Sequence, residues 1–292
     1  MTASIDNPLL SIVIPVYNRQ EGLNILLSAL LKAMDVGDYS SSIEIIVIDD
    51  CSQKTITIPK LPCDILLERN KKNLGAPLSR ERGFKASTGK FVHFHDSDDS
   101  VTENWLSGIL LALRKNLNTD ILMTARIDRD QDKDSVRVQK YFHNKVLRPK
   151  KIKTRLVYRN CMGPLGGVTF SREVLNKTRF MNFASCQDWQ MYLDAIKHSK
   201  ELMSLKDTYF IFNKCGKDRI SLNARKKILG HSQLSKITRK ESLFKKNIRL
   251  FYLVTCQKHV LNKGGRILKL FKGNRFRIMV TYVSVSLYWR LF

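Results

Sequence analysis

The sequence predicts an α/β protein built on a largely parallel sheet with helices on both faces. Three observations predict it. Short, β-branched apolar runs alternate along the chain with segments whose apolar residues recur at helical spacing. Polar residues stand at the ends of several of those runs: Asn18, Asp49, Asp50, Asp96, Asp98 and Asp99. In open α/β sheets, ligands bind beyond the carboxyl ends of the strands. Finally, 292 residues with 43 % hydrophobic content suit one large domain, or one domain with an appendage.

The elements follow in order. Leu10 to Val16 reads as a buried strand. Leu23, Leu26, Leu27, Leu30, Leu31 and Met34 then mark an amphipathic helix. Ile43 to Ile48 is a second buried strand ending at Asp49-Asp50, and Asp64 to Glu68 is a shorter third. Asn73-Leu74-Gly75-Ala76-Pro77 opens a helix that bears Arg80 and Arg82 and stops near Gly89, with Pro77 in the first turn, where a missing N–H costs nothing. Lys90 to His95 is the next strand, Trp105 to Leu117 a helix, and Thr119 to Ala125 a strand. Residues 128–153 are charged and poorly periodic, and read as a mobile excursion. Order resumes at Cys161. A compact loop, Met162 to Gly167, precedes the strand Val168 to Phe170, and Gln187-Asp188-Trp189 opens a helix to about Lys197. Gly166 and Gly167 suit either a close backbone approach to a ligand or a tight turn.

The segment from Phe91 to Asp99 carries the densest chemistry. It is an alternating apolar run that ends in three carboxylates within four residues, in a chain with only 26 acids and a net charge of +25. Residues two apart in an extended chain share a side, so Asp96 and Asp98 can converge on one ligand. Hard oxygen ligands at a strand end suit Mg²⁺ or Mn²⁺, which keeps other positions for water and substrate phosphates. The same residues also make a good turn and helix N-cap before Trp105. His93 and His95 alternate with Phe94 and read as strand residues.

Charge is unevenly placed. From Lys226 to the end there are sixteen Lys or Arg and one acid, Glu241, so this tail supplies +15 of the +25. Leu243 to Phe251 and Arg266 to Lys272 interleave basic and apolar residues at helical intervals, as a helix lying on an anionic membrane would. A helical pair packed on the domain with solvated charges is the alternative. The expected division is 1–225, with halves at about 9–125 and 126–225, followed by a basic helical extension over 226–292. Six scattered cysteines without a C-x-x-C pair argue against a zinc ribbon or a disulfide framework. The first residues lack a basic and apolar leader, and no uncharged apolar run approaches the ~20 residues of a membrane span. A cytoplasmic chain, peripheral on the inner face of the membrane, is the expectation. A nucleic-acid-binding tail would explain the charge but leaves the acidic strand ends without purpose, and no helix-turn-helix or RNA-binding signature is present. No nucleic acid partner is expected.

Five motifs in order resemble those of family 2 glycosyltransferases with the GT-A fold, over about residues 9–225. Pro15-Val16-Tyr17-Asn18 is similar to the first-strand signature, and Asp49-Asp50-Cys51-Ser52 to the nucleotide-binding Asp-Asp-x-Ser. Asn73-x-Gly75 with Arg80 and Gly83 resembles a third motif, Asp96-Ser97-Asp98 the Asp-x-Asp motif, and Gln187-Asp188-Trp189 the Glu-Asp-Trp that carries the base. Ser79, Glu81 and Gln187 depart from the usual residues, and the stretch 213–221 lacks the late His of many relatives. Lys214, Lys217 or Arg219 is available there to neutralise a leaving diphosphate.

The resemblance implies the following. A sugar moves from a nucleoside diphosphate, with uracil the expected base, to a glycan or lipid-linked acceptor of a bacterial-type surface polysaccharide, with inversion. Pro15, Val16, Tyr17, Asn18, Asp49, Asp50, Arg80, Asp96 and Ser97 belong to the donor site. Asp98, with Asp96 or Asp99, meets the cation. Asp188 is the base, although it could instead serve as a helix cap. A nucleotidyltransferase of related fold is the competing enzyme class.

Overall fold

Two-residue alternation in the first strands splits the apolar residues between two cores. In β1 (Leu10–Val16), Leu10, Ile12 and Ile14 point to one face of the sheet and Val13 to the other. In β2 (Ile43–Asp49), Ile43, Ile45 and Val47 join the first face, and Ile46 and Ile48 the second. Helices α1 (Gln20–Asp35) and α3 (Trp105–Lys115) close the first core with Leu23, Leu27, Trp105 and Ile109. The second core lies under α2 (Ala76–Ala86), α4 (Pro149–Tyr158) and α6 (Gln187–Ala195), through Phe84, Leu156, Trp189 and Tyr192. Helices therefore cover both faces, as expected.

The computed structural model describes residues 7–37, 39–130, 134–142, 146–158, 160–214 and 223–237. The remaining strands are β3 (Asp64–Arg69), β4 (Phe91–Phe94), β5 (Ser100–Val101), β6 (Ile121–Asp130), β7 (Ser135–Gln139), β8 (Val146–Leu147), β9 (Val168–Ser171) and β10 (Leu202–Asn213). Two further helices are α5 (Arg172–Asn176) and α7 (Ala224–Ile237). The sheet order is β3-β2-β1-β4-β9-β6-β10-β5, with β7 added to β6 and β8 to β10.

The pairings β3–β2, β2–β1, β1–β4 and β6–β10 are parallel. Strand β9 runs antiparallel to both β4 and β6, which restores β6 and β10 to the direction of β4. The sheet is thus mostly parallel but mixed. The carboxyl ends of β1, β2, β4, β6 and β10 open on one edge.

The charged stretch 128–153 differs from expectation. Its described residues form regular structure: β6 continues to Asp130, β7 pairs antiparallel with it, and α4 begins at Pro149. The periodic apolar signal there is thin: Val136 and Val138 two apart, and Ile152 with Leu156 four residues on, just past the stretch. These periods suffice for a strand and a helix but are masked by the surrounding charge. Helix α7 spans the expected boundary at 225. Residues 238–292, including both tail segments named above, lie outside the described residues.

Candidate active site

The strand-end loops are locked to one another before any ligand is considered. Asn18, just past β1, adopts the left-handed region at φ 52°. Its N–H donates to Ser52 Oγ (2.9 Å), and its Oδ1 accepts from Gln53 N (2.8 Å). Pro15 and Val16 are buried in β1, while Tyr17 is exposed at the edge. Asp49 is buried and accepts from Ser52 N (2.8 Å) and Arg69 Nη1 (2.8 Å), so its carboxylate is engaged in holding the loop after β2.

Asp50 performs a different task. It is buried and accepts from Asn70 Nδ2, Leu74 N and Gly75 N, each at 2.8 Å. Gly75 sits at φ 85°, a conformation open to glycine but costly for other residues. With its amide turned to Asp50, it starts α2 and fixes the helix that bears Arg80. Removing the carboxylate leaves three inward donors without it. Asp50→Ala is therefore expected to cost about 3–5 kcal/mol of stability, measured by urea unfolding. A loss below about 1 kcal/mol would contradict this role.

Arg80 is the hub. Its side chain is only 7 % exposed. Nη2 donates to Asp96 Oδ1, and Nη1 reaches Gln187 Oε1 at 3.5 Å across 107 residues of sequence. Burial works to raise the pKa of Asp96, but the charge and hydrogen bond of Arg80 outweigh it and hold the carboxyl below its ordinary range. Asp188 is pushed the other way. Burial raises its pKa, Arg80 and its own backbone amide pull it down, Asp96 pushes it up again, and the net direction is upward. Asp96, Arg80 and Asp188 thus form one electrostatic unit that joins the end of β4 to the head of α6.

Asp188 is presented by a strained turn. Cys186, the residue before α6, is left-handed at φ 59°, an unfavourable state for a non-glycine residue. The turn is braced on two sides. Trp189 Nε1 donates to Leu156 O of α4 (2.6 Å). From α7, Gln233 Oε1 accepts from Ala184 N (3.0 Å), and Gly230 lies so close that a Cβ would meet Ser185 O at 2.4 Å. The Tyr192 side chain, one turn along α6, is buried beside Asp188. Its i,i+4 spacing from Asp188 is a sequence signal for this neighbour.

Asp98 pairs with Arg19, a partner that sequence reasoning missed although it directly follows Asn18. The Asp98 carbonyl accepts from Asn213 Nδ2 (3.0 Å), and Asp99 Oδ1 accepts from Asn213 N (3.1 Å). The end of β10 is thereby seated on the acidic loop. Ser97 is buried below it, where α1 approaches so closely that a Cβ on Gly22 would meet Ser97 O at 2.6 Å. Lys214 pairs with buried Asp128 (3.0 Å), which also takes an ion pair from Arg126 and a hydrogen bond from Gln139. Lys217 and Arg219 lie outside the described residues.

The structure does not gather Asp96, Asp98 and Asp99 into a cage. Among the described residues no group of three His, Cys, Asp or Glu closes on one centre. Asp96 and Asp98, at 34 % and 23 % side-chain exposure, nevertheless each hold a guanidinium, so this corner demands positive charge. Two part-exposed hard carboxylates fit a divalent ion whose coordination is completed by substrate phosphates and water.

Other expectations resolve structurally. His93 and His95 are buried, bonded to each other (Nε2 to Nδ1, 3.2 Å) and packed on Trp105, away from the second core that Phe94 enters. Gly166 and Gly167 make a buried turn, where a Cβ on Gly167 would meet the Phe210 ring at 2.6 Å. Among the departures, Ser79 Oγ accepts from Asn70 (2.9 Å), and Glu81 pairs with Lys85 on the surface. Among the described residues Cys51 and Cys63 are free thiols. No helix among them is long and apolar enough to cross a membrane.

Residues 11–179 match the model of "Glycosyl transferase family 2". The chain belongs to this family. A solved structure of Staphylococcus aureus TarS in complex with UDP-GlcNAc superposes with a TM-score of 0.63 at 18 % identity, covering 89 % of this chain and 75 % of that one. A mannosyltransferase from Pyrobaculum calidifontis, in complex with GDP-Man and Mn²⁺, gives 0.57 at 14 % identity, covering 94 % and 84 %. The fold of this family 2 member is accordingly that of the GT-A glycosyltransferases. By sequence, an Escherichia coli UDP-Glc:alpha-D-GlcNAc-diphosphoundecaprenol beta-1,3-glucosyltransferase, WfgD, is 27 % identical over 221 residues, 74 % of this chain and 79 % of the relative. The first curated relatives are matched over only 37 % and 43 % of their own lengths.

Proposed function

We propose that this family 2 protein is a metal-dependent, inverting glycosyltransferase. It moves a sugar from a nucleoside diphosphate, UDP being the expected carrier, to a hydroxyl of a glycan or lipid-linked acceptor in surface-polysaccharide biosynthesis. The observation that carries the reading is the Arg80 bridge. One buried guanidinium faces Asp96 at the acidic strand end and Gln187 beside Asp188. Groups suited to a diphosphate and a group suited to an acceptor proton therefore meet at one sheet edge.

In this reading Asp188 accepts the proton of the acceptor hydroxyl. The hydroxyl oxygen attacks the anomeric carbon from the side opposite the diphosphate. The bond from that carbon to the diphosphate oxygen breaks, and its electron pair leaves with the nucleotide. The raised pKa of Asp188 suits a base, because a more basic carboxylate takes a proton more readily. Arg80 and Lys214 offset the charge growing on the leaving group. Pro15, Tyr17, Asn18 and the loop anchored by Asp49 and Asp50 shape the nucleoside end. A divalent cation held by Asp96 and Asp98, with Asp99 behind them, supplies Lewis-acid neutralisation of the diphosphate when bound.

The relatives' printed names support a sugar-nucleotide donor, and the name of WfgD supports a diphospholipid acceptor. The tail over 226–292 is read as attaching the enzyme to the inner face of the membrane through anionic lipid. A screen of UDP-, GDP- and TDP-sugars, with and without Mn²⁺ or Mg²⁺, tests the donor by thermal shift, because only ligands of the folded state raise Tm. A matched donor is expected to release free nucleoside diphosphate in the presence of acceptor. Release of pyrophosphate or a nucleoside monophosphate would instead mean a nucleotidyl or other phosphoryl transfer enzyme.

A further inference from the structure

The catalytic region has a strongly basic flank of its own. Residues 134–158 hold eight Lys or Arg and a single acid, Asp134. That concentration lies well before the basic tail. It centres on α4, whose sequence PKKIKTRLVY contains no acid. Ile152 and Leu156, four apart, are buried in the core shared with α6, while Lys150, Lys151, Lys153 and Arg155 are exposed. The helix is therefore amphipathic in the sense of a surface element: an apolar stripe holds it to the protein, and its outward arc is cationic.

An exposed apolar strand adds to this flank. Val136 and Val138 of β7 are 67 % and 52 % exposed. Their side of the sheet follows from register. Ile121 and Met123 of β6 enter the core under α4 and α6, and two-residue alternation carries that side to Ile127. Val138 is the register partner of Ile127, and Val136 of Arg129, so both valines share the side that α4 occupies. At the end of β7 the chain ties to α4, where the Arg155 guanidinium lies 5.9 Å from the centre of the Phe142 ring.

We propose that α4 and β7 form a membrane-docking face, with anionic phospholipid as its partner. Charge complementarity favours a lipid surface over a second copy of this chain, which would bring two strongly positive flanks together. Exposed valines among lysines suit a headgroup boundary, where apolar side chains enter and ammonium groups remain with the phosphates. The placement has a functional consequence. Helix α4 receives the indole N–H of Trp189, the neighbour of Asp188, so docking here puts the head of α6 beside the lipid surface. The face goes beyond the basic tail and does not depend on Asp188 being the base.

The test uses the full chain with vesicles of phosphatidylcholine alone or mixed with phosphatidylglycerol. Lys150→Glu/Lys151→Glu/Lys153→Glu is expected to weaken binding to the anionic vesicles at least tenfold, with Tm and transfer to a water-soluble acceptor unchanged. A parallel variant with Glu at 245, 246, 269 and 272 measures the tail separately. Val138→Trp reports the contact directly, and brominated anionic lipid is expected to quench its emission beyond that of the wild type. Undiminished vesicle binding by the α4 variant would overturn the proposal. So would an absence of added quenching while vesicles are bound, or a concentration-dependent dimer that shields position 138. Tighter retention on nucleic acid than on vesicles would also reject it. Retained transfer in Asp188→Asn would end the assignment of the base while leaving vesicle binding through α4, and with it the docking face, untouched, so the two readings fail separately.

Discussion

Asp188→Asn is expected to lower transfer by a factor of about 10²–10⁴, the range for removal of a general base. Asparagine keeps the volume and can occupy the same place at the head of α6, but it cannot accept the hydroxyl proton. The residues proposed to hold the donor lie on other elements, so donor-induced thermal stabilisation should persist and the loss should fall on kcat. A variant that retains most of its turnover would end the assignment of Asp188 as the base. The wild-type pH profile provides a second check. A base must be ionised, so activity falls as pH drops through the Asp188 pKa. Burial raises that pKa against the opposing charge of Arg80. The acid limb of the profile should therefore lie above the ordinary carboxylate range.

Asp98→Ala is expected to remove the metal-dependent part of donor binding and to lower transfer by about 10²-fold or more, the scale of a lost Lewis-acid contact worth several kcal/mol. Asp98 and its partner Arg19 are both part-exposed, so removing the carboxylate leaves a solvated cation rather than a buried orphan. The fold should survive. With Mn²⁺ present, the variant's donor-induced Tm shift should equal that of the wild type in EDTA. A variant whose shift still depends on Mn²⁺ would move the cation elsewhere. Asp99→Ala should act differently. Asp99 is buried and holds Asn213 N, so its loss is expected to destabilise the end of β10.

The elements of the sheet could be read from the chain because β1, β2 and β4 are buried on both faces and appear as short runs dominated by apolar residues. Their helices declare themselves by leucines three and four apart. The stretch around β7 and α4 hid the same periods beneath lysine and arginine, which favour solvent whatever the backbone does. The reversed strand β9 was also hidden. A four-residue apolar run looks the same whether it lies parallel or antiparallel to its neighbours.

At the site, the residue types were legible but their partners were not. Asp49 and Asp50 are adjacent and chemically alike. Only the fold distinguishes them, turning one to Arg69 and Ser52 and the other to the start of α2. Arg19 was invisible as the partner of Asp98, since pairing across 79 residues depends on where two loops meet.

The alternation of strands and helices and the acids at the strand ends are legible in the chain, because periodicity and turn chemistry are local properties. The three-dimensional fold settled which acids are held by inward donors and which stay part-exposed at the strand ends, and that Arg80 would join Asp96 to the helix of Asp188. It also made a strand and a helix of described parts of a charged stretch, β7 and α4. These outcomes depend on long-range packing, where burial makes an unpaired charge costly and so selects partners that no local pattern specifies.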